Sequence, residues 1–235
     1  MIELAEYRKQ TIIASVIAIV IALSIGLGVY FTQPSQVSTP PAPGYNIVLN
    51  NQPAILIGAQ TTNSTIGLEL SLRLSNATFS PGQSVSVNIT ESNTENITNT
   101  VASESHFPLS GMALGPCGTM NYPFGISLFQ GYYDQGNLSL LANQSSLELY
   151  QPGVYACPAM FVVNGYSFQP QSDNASLGTT STGAISIPMT DAVNTNGSWT
   201  GRTMGSTFHE FQPGVFTVVA GDEWGDVAIV HFTVS

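Results

Sequence analysis

The sequence predicts an all-β sandwich carried behind a single N-terminal transmembrane α-helix, and three observations predict it. A charge-free apolar run near the start is long enough to cross a bilayer. Short segments beyond it alternate apolar and polar residues at period two, and Pro-Gly turns separate several of them. No 3.6-residue apolar stripe appears outside the first run.

The run is "TIIASVIAIVIALSIGLGVYFT", residues 11–32. As a helix its 22 residues reach about 33 Å, against about 30 Å of hydrocarbon. Arg8 and Lys9 precede it, and no Lys or Arg follows until Arg73. Short-range Lys/Arg bias keeps the basic side in the cytoplasm, so residues 1–10 form an inner tail and the rest lies outside the cell membrane. A cleaved signal peptide has a shorter apolar region, about 7–15 residues, ending at small residues, and "GLGVYFTQ" fits that poorly. A prepilin-type signal fails as well, because Gln10 and Thr11 stand where Gly or Ala would follow the basic residue. Residues 33–44, "QPSQVSTPPAPG", then form a proline-rich stalk. The remaining 45–235 suffice for one large sandwich or two small ones.

The strands come in order. "LELSLRLS" (68–75) turns Leu68, Leu70, Leu72 and Leu74 inward and Glu69, Ser71 and Arg73 outward. "SPGQSVSVNIT" follows, with a turn at Ser80-Pro81-Gly82 and Val85, Val87 and Ile89 inward. "PFGISLFQGYY" (123–133) places Ile126 and Leu128 on one face and Phe129 on the other. "QPGVYACPAMFVV" (151–163) reads as a further strand. "QPGVFTVVAGDEWGDVAIVHFTV" reads as a hairpin, apolar on both faces and therefore central or covered. Residues 168–206, rich in Ser, Thr, Gly and Asn, are expected to form a long surface insertion, with short strands around "AISIPM".

Composition narrows the function classes. Only 8% of residues are charged, and the net charge is −10. Beyond the membrane, Arg73 and Arg202 face twelve acids. Such a surface has little to offer a phosphate backbone, which excludes nucleic acid as a partner. N-glycosylation acceptor patterns stand at Asn63, Asn76, Asn88, Asn96, Asn137, Asn143, Asn174 and Asn196, more than Ser and Thr content places there by chance. Carboxylates protonate near pH 4, so a fold relying little on them loses little in acid.

"SPGQSVSVNITESNTEN" resembles the B strand and following turn of bacterial and archaeal surface immunoglobulin-like modules, and the C-terminal segment resembles their closing strands. Residues 68–235 are similar to archaeal membrane-anchored proteins with an extracytoplasmic immunoglobulin-like antiparallel β-sandwich. That resemblance implies a fold and a location rather than an activity. Tyr155, two residues before Cys157 and just after Pro-Gly, sits as at a tyrosine corner.

Two cysteines in an exported chain point to one disulfide, Cys117 to Cys157, tying the turn-like "LGPCGTMNYP" to a strand end. The alternative is a soft-metal copper site of Cys117, Met120, Cys157, Met160 and His106, as in an extracytoplasmic cupredoxin-like electron-transfer module. No His accompanies either cysteine, as a blue-copper loop requires. His209, Glu210, Asp222, Glu223, Asp226 and His231 cluster near the C-terminal hairpin, where zinc or calcium is the sharp reading and an ordinary acidic turn the plain one. Tyr132, Tyr133, Tyr150, Tyr166, Trp199 and Trp224 are candidates for stacking on sugars or for packing. No nucleophile elbow, zinc helix or phosphate loop is present. The expectation is a non-enzymatic, cofactor-free surface protein, structural or adhesive, meeting the surface layer or other surface proteins.

Overall fold

The computed structural model describes residues 57–104, 106–119, 121–158, 162–179, 184–202 and 205–235. The expected tail, membrane helix and stalk at 1–44 lie outside the described residues, as do Met120 and Met160. Among the described residues no helix is long and apolar enough to cross a membrane.

The described chain is mostly strand. In order these are β1 (Ile57–Asn63), β2 (Leu68–Leu74), β3 (Thr78–Phe79), β4 (Val85–Asn93), β5 (Asn99–Ala102), β6 (Phe124–Gln130) and β7 (Val163–Phe168). They continue as β8 (Asn174–Thr179), β9 (Ile185–Pro188), β10 (Thr190–Thr195), β11 (Gly197–Thr200), β12 (Thr207–Glu210), β13 (Gly214–Asp222) and β14 (Val227–Val234). One helical turn, α1 (Leu138–Leu141), follows a 3-10 turn capped by Asp134. A first sheet runs β1-β2-β4-β10 and a second β3-β14-β13-β6. A third runs β5-β7-β8-β9, and β11 pairs with β12 alone. All pairings between these strands are antiparallel except the two-residue parallel match of β3 to β14.

Alternation drives the packing of the first sheet onto the second. Leu68, Leu70, Leu72 and Leu74 are all fully buried, and each is worth about 1.5–3 kcal/mol of apolar burial. They share one core with Val85, Val87 and Ile89 of β4, Val218 and Ala220 of β13, and Val230 and Phe232 of β14. Tyr166, Phe168, Ala175 and Leu177 bring the third sheet into the same core. The outer face of the second sheet is covered too: Phe129, Val219 and Val227 pack with Leu109, Met112 and Leu141. The C-terminal hairpin is thus central and covered on both sides, as its two apolar faces predict.

The turn before β4 has Pro81 then Gly82 at φ +79°, with Gln83 N–H donating to Ser80 C=O at 3.0 Å. That is a type II turn, and the positive φ is the reason for glycine there.

Two expectations need correction. Residues 151–158 form no strand, and Tyr155 is 52% exposed, so there is no tyrosine corner. Pro152 and Pro158 remove amide donors that a ladder requires, and Val154 and Tyr155 both face solvent instead of alternating. Conversely, the described residues of 168–206 are not a surface insertion, although the short strand expected around "AISIPM" is present as β9. They supply β8 to β11, including β10 on the edge of the first sheet, and bury Ala175, Leu177, Met189 and Val193. Small and hydroxylated residues there hide the pattern, because a few apolar side chains in short strands do all the anchoring.

Cys117 and Cys157 form a disulfide, with S–S 2.09 Å and Cα–Cα 5.5 Å. Both cysteines lie in loops, so the bond ties loop to loop rather than loop to strand end. Two outcomes follow for unfolding in denaturant. Leu72→Ala should cost about 2–5 kcal/mol. The Cys117→Ser/Cys157→Ser pair should cost up to about 4 kcal/mol, from the 40-residue span it releases, while the strand signature in circular dichroism persists.

Candidate functional site

The feature that stands apart chemically is a cluster of buried carboxyls at one end of the space between the first two sheets. Inward positions of β4 fall on Val85, Val87, Ile89, then Glu91 and Asn93. Inward positions of β13 fall on Phe216, Val218, Ala220, then Asp222. On β14 they fall on Phe232, Val230, Ala228, and the same parity carried back into the turn reaches Asp226. Three apolar rows therefore end in acids. Glu91 and Asp222 are 0% exposed and Asp226 is 3% exposed.

Their surroundings differ. Asp222 Oδ1 accepts the backbone N–H of Trp224 at 2.9 Å and of Asp226 at 2.8 Å, so its side chain builds the hairpin turn. The Asp222 and Asp226 carboxyls lie against each other, with Asn63 beside Asp226. Two carboxyls in such contact need a proton between them. Among the described residues neither oxygen of Glu91 has a hydrogen-bond partner, and Thr61 Oγ1, flanking Leu70 on the other side of the same cross-strand row, also has none. Asn93, two residues along the inner face of β4, is the contrast. It donates to Ile97 C=O at 2.8 Å and Gln169 C=O at 3.0 Å, and accepts from Glu95 N–H at 2.8 Å.

Burial, then the charges of Asp222, Asp226 and Glu69, pushes the Glu91 carboxyl well above the usual range. Burial, then Asp226, pushes Asp222 up to about 8. Burial likewise raises Asp226, with the neighbouring Asn63 and Asp222 side chains working against it. The fourth acid, Glu223, is buried but differently served: its carboxylate accepts from Ser103 Oγ at 2.6 Å and Glu104 N–H at 2.9 Å.

The other singled-out residues do not converge. The Cys117–Cys157 bond leaves neither cysteine as a thiolate, which removes two of the five ligands in the copper alternative. Its third described member, His106, is exposed in a loop. His209 contacts Thr200 Oγ1 at 2.9 Å on the β11–β12 ribbon, where Glu210 is also exposed. His231 Nε2 contacts Tyr133 C=O at 2.8 Å, and its ring stacks on Tyr132 at 4.3 Å. Among the described residues no group of three or more His, Cys, Asp or Glu is arranged to hold a metal ion. The aromatic candidates mostly pack: Tyr133 against Phe129, Trp199 against Phe208, and Trp224 against Tyr166 and Phe168. Tyr150 donates its hydroxyl to Leu114 C=O.

None of the eight sequon asparagines is buried. Asn76, Asn96, Asn143 and Asn174 are exposed, whereas Asn63 Oδ1 accepts the Thr65 N–H at 3.2 Å and Asn196 donates to Gly82 C=O at 3.3 Å.

Glu91 is the residue the sequence reading missed. The signal was there, since the alternation through Val85, Val87 and Ile89 continues to Glu91 if the strand is carried two residues further. Compared with family models, curated proteins and solved structures, the chain matches none.

Because Asp222 holds two amides of the turn, Asp222→Ala should lower stability by about 1–3 kcal/mol in acid, where its carboxyl is protonated. Asp222→Asn keeps an acceptor oxygen and should lose less. Denaturant unfolding of both variants checks the difference.

Proposed function

We propose that the chain is a membrane-anchored cell-surface protein whose residues 45–235 form an extracytoplasmic immunoglobulin-like sandwich with a structural or adhesive, non-enzymatic role. Residues 11–32 are the anchor, residues 1–10 stay in the cytoplasm, and residues 33–44 lift the sandwich off the bilayer. The observation that carries this reading is the Cys117–Cys157 disulfide, because such bonds persist in oxidising compartments outside the cytoplasm. It stands beside a charge-free run flanked by Arg8 and Lys9 and beside sequons at accessible positions.

The immunoglobulin-like part rests on two four-stranded sheets sharing one core, closed by a C-terminal hairpin. Partner contacts fall to loops and to the edge strands β1 and β10, with neighbouring surface proteins or the surface layer as partners. The carboxyl cluster lies inside the sandwich and contributes to its stability rather than to a reaction.

Protease added to intact cells tests the location. Removal of the outer domain, leaving a short N-terminal membrane-protected fragment, is the expected result. Retention of the full-length chain, with a cytoplasmic control equally intact and a known surface protein digested, contradicts it.

A further inference from the structure

We infer that Glu91, Asp222 and Asp226 form a proton-operated lock between the first and second sheets, closed in acid and released as the pH rises. The geometry is the primary argument. Glu91 enters from β4, while Asp222 and Asp226 enter from the β13–β14 hairpin facing it, and all three continue apolar rows of one core. Written as carboxylates, Glu91 Oε1 and Oε2, Asp222 Oδ2 and Asp226 Oδ2 are buried with no donor. An isolated buried carboxylate is too costly to keep, so such a group neutralises.

Protons are the counter-charge the site offers room for. Glu91 is faced by Asp222 and Asp226 from the hairpin and by Glu69 from β2. Asp226 is faced by Asp222 and by the uncharged Asn63 of β1. Glu223 of the same turn lies against Tyr166 of β7 and is held by Ser103 and the Glu104 amide. No arginine or histidine of the described residues bears on the three carboxyls. A proton between Asp222 and Asp226 makes their contact a hydrogen bond. A proton on Glu91 removes its charge from the core.

The hairpin tip gives the lock its mechanical consequence. Trp224 projects from the same turn, packs edge-on against Tyr166 at 5.7 Å and Phe168 at 6.3 Å, and donates Nε1–H to Ala102 C=O at 2.9 Å. The tip therefore joins the third sheet as well as the first two. Like charges appearing beneath it push it away from β4 and pull Trp224 out of its aromatic seat.

The sign follows from linkage. A carboxyl whose proton is held more tightly in the folded state gives stability that is complete below its unfolded value, near pH 4, and is lost as pH rises through its folded value, about 8 for Asp222. Each proton retained only by the folded chain changes the folding equilibrium about tenfold per pH unit within that window.

The test uses the full chain in detergent with Trp199→Phe, so that Trp224 is the sole tryptophan, followed by denaturant unfolding and Trp emission between about pH 4 and pH 8.5. The expected result is a folding equilibrium that weakens with rising pH, with Trp224 emission shifting to longer wavelength in the same range. Adding Glu91→Gln should lower the pH slope by about one proton, or tenfold per pH unit, and stabilise the chain at neutral pH. If that variant fails to fold, Asp226→Asn should flatten the slope in the same direction. Equal or greater stability at pH 8 than at pH 4 would overturn the proposal, and so would slopes unmoved by either variant. A neutral-pH stability that rises with millimolar calcium and falls with chelator also overturns it, making a cation rather than protons the counter-charge.

Discussion

Glu91 carries the apolar inner face of β4 one step too far, placing an acid between two sheets that otherwise close over leucine, valine and phenylalanine. How that end of the sandwich shuts depends on what neutralises it. The neighbouring inward positions at the hairpin, Asp222 and Asp226, compound the constraint instead of relieving it, because they add negative charge and no base. A core this tightly packed tolerates the cluster only when its members are uncharged or share protons. The hairpin turn, the seat of Trp224 and the contact with the third sheet are arranged around that condition.

The remainder of the domain is conventional in its physics. Leucines at alternate positions of β2 join the first sheet to the second, a covered outer face makes β13 a central strand, and a loop-to-loop disulfide fixes the ends of the 117–157 excursion.

Much of this was legible from residue order alone. The bounds of β2, the inward residues of β4, the two faces of β6 and the covered hairpin all follow from period-two patterning, since burial on a pleated strand leaves no other arrangement. The disulfide was legible because two cysteines in a chain expected to be exported leave few other states. Residues 168–206 were harder: Ala175, Leu177 and Val193 anchor strands whose other positions are polar, so the average composition resembles a loop. Residues 151–158 misled in the opposite direction, their apolar content suggesting a strand that their prolines forbid. The carboxyl cluster was half visible. Asp222 and Asp226 drew notice as an acidic turn, but their burial arises from Glu91 and β4 across the core, a contact no local window contains.

One spectroscopic observation bears on all of this most directly: the carboxyl-carbon chemical shift of Glu91, followed by NMR in selectively labelled full-length protein through a pH titration. The account predicts that Glu91 keeps the shift of a protonated acid well above the pH, near 4, at which a solvent-exposed carboxyl loses its proton. A Glu91 that ionises together with solvent-exposed carboxyls would contradict it, since the sandwich would then be closing over a charge that nothing in its interior balances.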